Sequence, residues 1–243
     1  MKKIVKTILQ KAFYLFISNS FTKKKMISLK EPVVSFTFDD VPKETFSNGV
    51  PILKKYGYKG TFYVSGNLTK NDFFMQKKHI KQLQREGHEI GGHTFGHIKT
   101  TCSKGMLVKD LAKSKKFFSE LGIKLRSFAY PNGAVGIWNK SFLCKKFLSC
   151  RTTIDGMNNG LTDLSVLRAY RLYDSTISIK SFSRLLERAK SEKGWLIFYT
   201  HDVSKKPSQY GCSTRLFEKL VKKVNESGIN VMPVQKVVEN INN

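Results

Sequence analysis

The sequence predicts an α/β protein, a distorted (β/α) barrel of about seven parallel strands. Short apolar runs alternate with helical patterns from Pro32 to the end of the chain. Several of those helical patterns stop at Gly, the usual left-handed cap. The signatures of competing α/β folds are missing. No G-x-G-x-x-G follows the first strand, and there is neither a phosphate-binding G-x-x-x-x-G-K-[ST] loop nor a G-x-S-x-G elbow.

The elements follow in order. Val33–Phe38 (VVSFTF) reads as a strand, Thr45–Tyr56 as a helix closed by Gly57, and Gly60–Val64 as the next strand. Gln76–Glu86 is a helix stopped by Gly87, and His88–Gly92 a short strand. Met106–Leu121 is a helix stopped by Gly122, followed by strand Ser127–Tyr130. Trp138–Leu148 reads as a helix, Cys150–Ile154 as a strand and Ser165–Leu172 as another. Ile179–Lys193 is a helix stopped by Gly194, and Trp195–Thr200 is a strongly apolar strand. Thr214–Glu226 is a helix stopped by Gly228, and Ile229–Val234 is the last strand. No linker, repeat or composition break interrupts 32–243, which reads as one domain.

The 243 residues are enough for a full core without disulfide or metal staples. With 40% apolar and 25% charged residues, the composition excludes a mainly disordered chain. Four cysteines, at 102, 144, 150 and 212, form no C-x-x-C pair and read as reduced thiols. The net charge is +25, which favours anionic partners. Only eight of the 43 basic residues are Arg, whose planar fork nucleic-acid readers favour, so no nucleic acid is expected.

Residues 1–31 form a basic amphipathic segment. Lys2, Lys3, Lys6 and Lys11 break its apolar residues, and the clean run from Ala12 to Ser18 is at the lower limit for a secretory signal. The segment suits a helix lying on an anionic membrane, with Lys23, Lys24 and Lys25 as a second electrostatic signal. It equally suits a terminal helix packed on the domain. A cytoplasmic or membrane-peripheral protein is expected, with a weak signal-like start as the third reading.

Unusual polar residues fall where predicted strands end. Asp39 and Asp40 follow Val33–Phe38, His93 and His97 follow His88–Gly92, and Tyr130 and Pro131 close Ser127–Tyr130. Arg171 lies near the end of Ser165–Leu172, and His201 and Asp202 follow Trp195–Thr200. In a (β/α) barrel these strand ends converge on the face that carries catalysis. His93 and His97, four apart, would share one face of a helical turn. With Asp40 they make a site for one divalent metal, zinc by donor type, with positions left open. The bland alternatives are an Asp cap on a helix and a satisfied core histidine at 201. His79 and His88 read as structural.

These motifs resemble the polysaccharide deacetylases, carbohydrate esterase family 4 or the NodB-homology domain, over most of 32–232. Ser35-Phe-Thr-Phe-Asp-Asp40 resembles the family's T-F-D-D, His93-Thr-Phe-Gly-His97 its H-[ST]-x-x-H, and Thr61-Phe-Tyr-Val64 the intervening strand. Tyr130-Pro-Asn-Gly133 resembles a variant of R-x-P-x-G, and His201 the histidine of L-x-H.

The resemblance implies a barrel with metal on Asp40, His93 and His97, Asp39 as general base and His201 as general acid. It also implies an oxyanion donor, the main-chain N–H of Tyr130. The activity implied is removal of N-acetyl, or O-acetyl, groups from a cell-envelope glycan or its lipid-linked precursor. The chain departs from the family at Ala129, where the third motif has Arg, and Arg171 is the expected substitute. D-x-x-D-W is missing, leaving Asp155 and Asp174 as candidates to orient His201, and Tyr199 replaces the Leu of L-x-H. The alternatives are a catalytically impaired barrel and a basic protein that binds an anionic membrane or glycan.

Overall fold

The computed structural model describes residues 12–19 and 23–242. Helix α1 (12–18) and strand β1 (Lys24–Ile27) lead into β2 (Val33–Asp39). Then come α2 (Val50–Lys55), β3 (Thr61–Val64), α3 (Lys77–Arg85), β4 (Glu89–Gly92), α4 (Lys104–Glu120), β5 (Ser127–Ala129), α5 (Ile137–Lys146) and β6 (Ser149–Arg151). The second half contains β7 (Gly160–Asp163), β8 (Tyr170–Arg171), α6 (Ile179–Glu192), β9 (Trp195–Thr200), β10 (Val203–Ser204), β11 (Cys212–Ser213), α7 (Thr214–Ser227), β12 (Asn230–Val231) and α8 (Val234–Asn242).

Seven parallel strands in the order β6-β5-β4-β3-β2-β9-β8 form one curled sheet, as the alternation predicts. The short β12 joins the start of β2. Leu167, ahead of β8, exchanges backbone hydrogen bonds with Cys150 and Thr152 (both 2.8 Å), which ties the two ends of the sheet together. β2 is buried along its whole length, as a central parallel strand covered on both faces must be. Phe36 and Phe38 on β2, Phe62 on β3 and Phe198 on β9 fill the core beneath α2, α6 and α7.

Three sequence expectations change. The helix over Thr45–Tyr56 begins as a wide π turn, Thr45–Gly49, and becomes α-helical only at Val50. Pro51 has no N–H for the regular ladder and its ring crowds the preceding turn. The strand expected over Ser165–Leu172 is a 3-10 turn, Leu164–Val166, then a bridge at Leu167 and the two-residue β8. The strand expected over Ile229–Val234 ends after Val231, and α8 follows. Its first N–H groups, on Val234 and Gln235, donate to Thr61 Oγ1 (2.9 Å) and Glu89 Oε2 (2.8 Å) at the closed end of the barrel.

In the amino-terminal segment, residues 12–19 follow the reading of a terminal helix packed on the domain. Residues 1–11 and 20–22 lie outside the described residues. β1 pairs antiparallel with β7, and Ile17 of α1 is buried against Leu107, Leu111 and Phe147. The fully buried Lys140 ammonium pairs with Asp163 (2.7 Å) and donates to the Ile17 carbonyl. Asp163 in turn accepts from Lys23 N (2.9 Å). The described part of the segment is therefore docked on the barrel.

Candidate active site

Each predicted rim residue sits at the carboxyl end of its strand, but three of the local arrangements differ from expectation. β2 ends at Asp39, and the chain then reverses through left-handed backbone at Asp40 (φ 58°) and Val41 (φ 53°). Such angles are rare outside Gly and strained for a β-branched residue. The turn is pinned by Val41 N–H donating to Asp39 O (2.5 Å), by Met75 N–H donating to Val41 O (2.9 Å), and by the fully buried Val41 side chain. The effect is to aim Asp39 into the barrel and Asp40 at the rim.

His93 and His97 do not lie on a helical turn. They lie on an irregular loop after β4, with left-handed backbone at Thr94 (φ 57°) and His97 (φ 54°). Asp110 of α4 holds that loop by accepting from Phe95 N (2.6 Å) and Gly96 N (2.8 Å). The two imidazoles end with ring centroids 5.0 Å apart. The sequence reading missed Asp110, whose signal was a carboxylate among the apolar and basic positions in the middle of a helix.

The donor atoms of Asp40, His93 and His97 all lie within 4.8 Å of one another. Asp40 Oδ1 is buried and accepts no hydrogen bond among the described residues, yet His97 Nε2 is 3.2 Å and His93 Nε2 3.6 Å away. Three donors converging on one point, with an orphaned carboxylate oxygen among them, fit a divalent cation. His93 Nδ1 lies 2.8 Å from Ala129 O, which makes it the protonated nitrogen and leaves the Nε2 lone pair for the metal. Burial lowers the His93 pKa to about 3 and pushes His97 down as well, so both stay neutral and able to ligate. Burial also lifts Asp40 to about 6, and the neighbouring Asp39 charge acts in the same direction.

Asp39 has a different environment. Burial alone would raise its pKa, but the Arg151 guanidinium, reinforced by His93 and His201, overrides it and holds Asp39 below the usual carboxylate range. Arg151, at the end of β6, is fully buried and pairs with Asp39 Oδ1. Its guanidinium lies between the rings of Tyr63 (5.1 Å) and Tyr199 (4.9 Å). Tyr63 fits because residue 91 is Gly: a Cβ there would come within 2.4 Å of the ring.

This corrects the expectation for Arg171, which does not reach Asp39. It faces Asp155 at 3.9 Å and donates to Thr153 O (3.5 Å). The guanidinium expected at position 129 comes instead from the next strand. Its sequence signal was a lone Arg inside the predicted strand Cys150–Ile154. The same packing explains Tyr199, whose ring covers Arg151.

Tyr130 is likewise corrected. Its N–H donates to Arg151 O (3.0 Å) and its hydroxyl to Ser165 O (3.0 Å), so neither is free for an oxyanion. Pro131 is buried and opens a 3-10 turn. His201 Nε2 is 3.9 Å from Asp40 Oδ2, and the ring lies beside Tyr173 (6.0 Å) and Tyr210 (5.5 Å). Its Nδ1 is buried without a hydrogen-bond partner among the described residues. Neither Asp155 nor Asp174 orients it, because Asp174 accepts from Ser213 N (2.7 Å). Asp202 is occupied by Ser208 N (2.8 Å) and Ser208 Oγ (2.5 Å). His79 and His88 are structural as expected, accepting from Gln76 N and Gly60 N (both 3.0 Å).

A family model described as polysaccharide deacetylase matches residues 27–145, the stretch that carries Asp39, Asp40, His93 and His97. This stretch of the chain belongs to the polysaccharide deacetylase family. A peptidoglycan-N-acetylglucosamine deacetylase from Bacillus cereus is 32% identical over 107 residues, 43% of this chain and 48% of that one. A poly-beta-1,6-N-acetyl-D-glucosamine N-deacetylase from Staphylococcus aureus is 27% identical over 138 residues, 50% of this chain and 48% of the relative. These matches span about half the length of the curated relatives.

Among solved structures, a family 4 carbohydrate esterase from Bacillus anthracis superposes with a TM-score of 0.61 at 15% identity, covering 88% of this chain and 86% of that one. A family 4 pseudoenzyme from the same organism gives 0.60 at 19% identity, covering 87% and 66%. The deacetylase fold is thus shared by a pseudoenzyme, so activity has to be argued from the site.

Proposed function

We propose that this polysaccharide deacetylase family member removes N-acetyl groups from an amino-sugar glycan, or glycan precursor, of the cell envelope. The observation that carries the proposal is the pairing of a three-donor metal site with a separate, ionised, buried carboxylate one residue away. A binding barrel would need the donors but not Asp39 and its guanidinium partner.

Asp40, His93 and His97 would hold one divalent ion, zinc by donor type. When bound, such an ion supplies Lewis acidity toward the acetyl carbonyl. Arg151 keeps Asp39 ionised, so Asp39 takes the proton of the attacking water as its oxygen bonds to the acetyl carbon. His201 gives a proton to the sugar nitrogen as the carbon–nitrogen bond breaks, releasing acetate and the free amine. Tyr173 and Tyr210 flank the His201 ring. The curated relatives' names, which specify amino-sugar polymers, support the substrate class.

The test is acetate release from N-acetylglucosamine oligomers by the metal-loaded protein. Asp39→Asn is expected to lose activity by 10²-fold or more while retaining its metal. Unchanged turnover in Asp39→Asn would remove the proposed base.

A further inference from the structure

We propose that a groove between α4 and α5 takes an acyl chain of an anionic phospholipid and docks the barrel on a membrane surface. The proposal does not rest on the deacetylase reading. The groove encloses about 710 Å³, within the roughly 300–1,000 Å³ usual for small-molecule sites. Its walls are apolar, formed chiefly by Leu111, Phe118, Ile123, Leu125, Phe142 and Phe147. Lys115, Lys124 and Lys146 also line it, all exposed, and no acidic residue does. An apolar slot with three ammonium groups and no carboxylate matches an alkyl chain that ends in a phosphate. A nucleic acid would have no use for the apolar walls.

Two further observations point the same way. Ser114 also lines the groove; it is 2% exposed and its Oγ has no hydrogen-bond partner among the described residues. A buried hydroxyl without a partner calls for an explanation, and a ligand's polar atom supplies one. Val108, one of the ten large apolar side chains exposed among the described residues, also lines the groove.

The groove reaches the turn before β5 and the end of α5 before β6, where strands begin. The catalytic rim lies where strands end, so docking here leaves the rim free for a glycan.

The experiment is vesicle flotation of the full chain with phosphatidylglycerol or phosphatidylcholine vesicles. Binding to phosphatidylglycerol is expected. The triple variant Lys115→Glu, Lys124→Glu, Lys146→Glu is expected to lose roughly 100-fold or more in partition, since each lysine near an anionic surface matters by about fivefold. A control with the same change in net charge, Lys180→Glu, Lys190→Glu, Lys219→Glu on α6 and α7, is expected to keep most of its binding. Ser114→Leu, which fills the groove, should lose at least tenfold, with thermal melting reporting whether it folds. Equal loss in the two triple variants would attribute binding to net charge and overturn the proposal. So would vesicle binding by a folded Ser114→Leu protein equal to wild type, or sedimentation showing that a second copy covers the groove.

Discussion

Replacing Arg151 with Leu separates the charge on Asp39 from the packing around it. The guanidinium and the carboxylate are 0% and 4% exposed, so the variant strands a carboxylate where water cannot solvate it. Burial lifts an orphaned carboxyl by about 3 pKa units or more, and at 1.36 kcal/mol per unit that removes about 4 kcal/mol of stability at pH 7. Orphaned buried charges generally cost about 3–5 kcal/mol.

The pH dependence identifies the cause. In the wild type Asp39 is held below its unfolded value, so its stabilisation is present at neutral pH and fades only as pH falls through the folded pKa. In the variant the folded pKa is raised, so the penalty is absent at acid pH and grows as pH climbs above about 4. Urea denaturation at pH 7 and pH 4.5 measures both. The deficit should shrink markedly at the lower pH, and the acid limb of acetate release should move to higher pH. An equal deficit at the two pH values would show that Arg151 acts by filling space, and the electrostatic reasoning would fail.

Three other consequences are measurable. Lys140→Met leaves the Asp163 carboxylate buried without its cation; stability should drop by about 3–5 kcal/mol, and protease should reach residues 12–27 at concentrations that spare the wild type. Asp110→Ala releases the His93–His97 loop, so metal affinity should fall about 10–100-fold in a competition titration with only a modest change in melting temperature. Burial holds His88 near pKa 4, so its neutral form stabilises the fold above about pH 6.5 and that stabilisation is lost as pH falls toward 4. His88→Gln should flatten the metal-free protein's stability curve across that window by up to about 3 kcal/mol, as read by chemical denaturation.

The parallel sheet was legible in the sequence because buried parallel strands leave continuous apolar runs. Val33–Phe38 and Trp195–Thr200 are two such runs, and both are strands. The rim was legible because strand ends carry polar residues, so Asp39, Asp40, His93, His97 and His201 were found without geometry. Partnership across the barrel was not legible. Arg151 meets Asp39 across 112 residues, and nothing in the spacing announces it. Ala129 drew attention to a missing guanidinium, but the nearest strand end with an unassigned Arg was the wrong one. Asp110 escaped because it acts through backbone N–H groups, which have no sequence signature. β1 and β7 were missed because both are largely exposed and lack an apolar run. α8 was missed because the apolar spacing of Val234, Val237, Val238 and Ile241 begins directly behind a strand-like run.

The central claim is that Asp40, His93 and His97 hold one divalent ion. Its most direct test is metal content, measured by mass spectrometry on wild type and His93→Ala after zinc loading and desalting. About one metal per chain in the wild type, lost in a His93→Ala protein with unchanged circular dichroism, is the predicted result. A wild type that retains no metal, or a His93→Ala protein that retains as much, would contradict it.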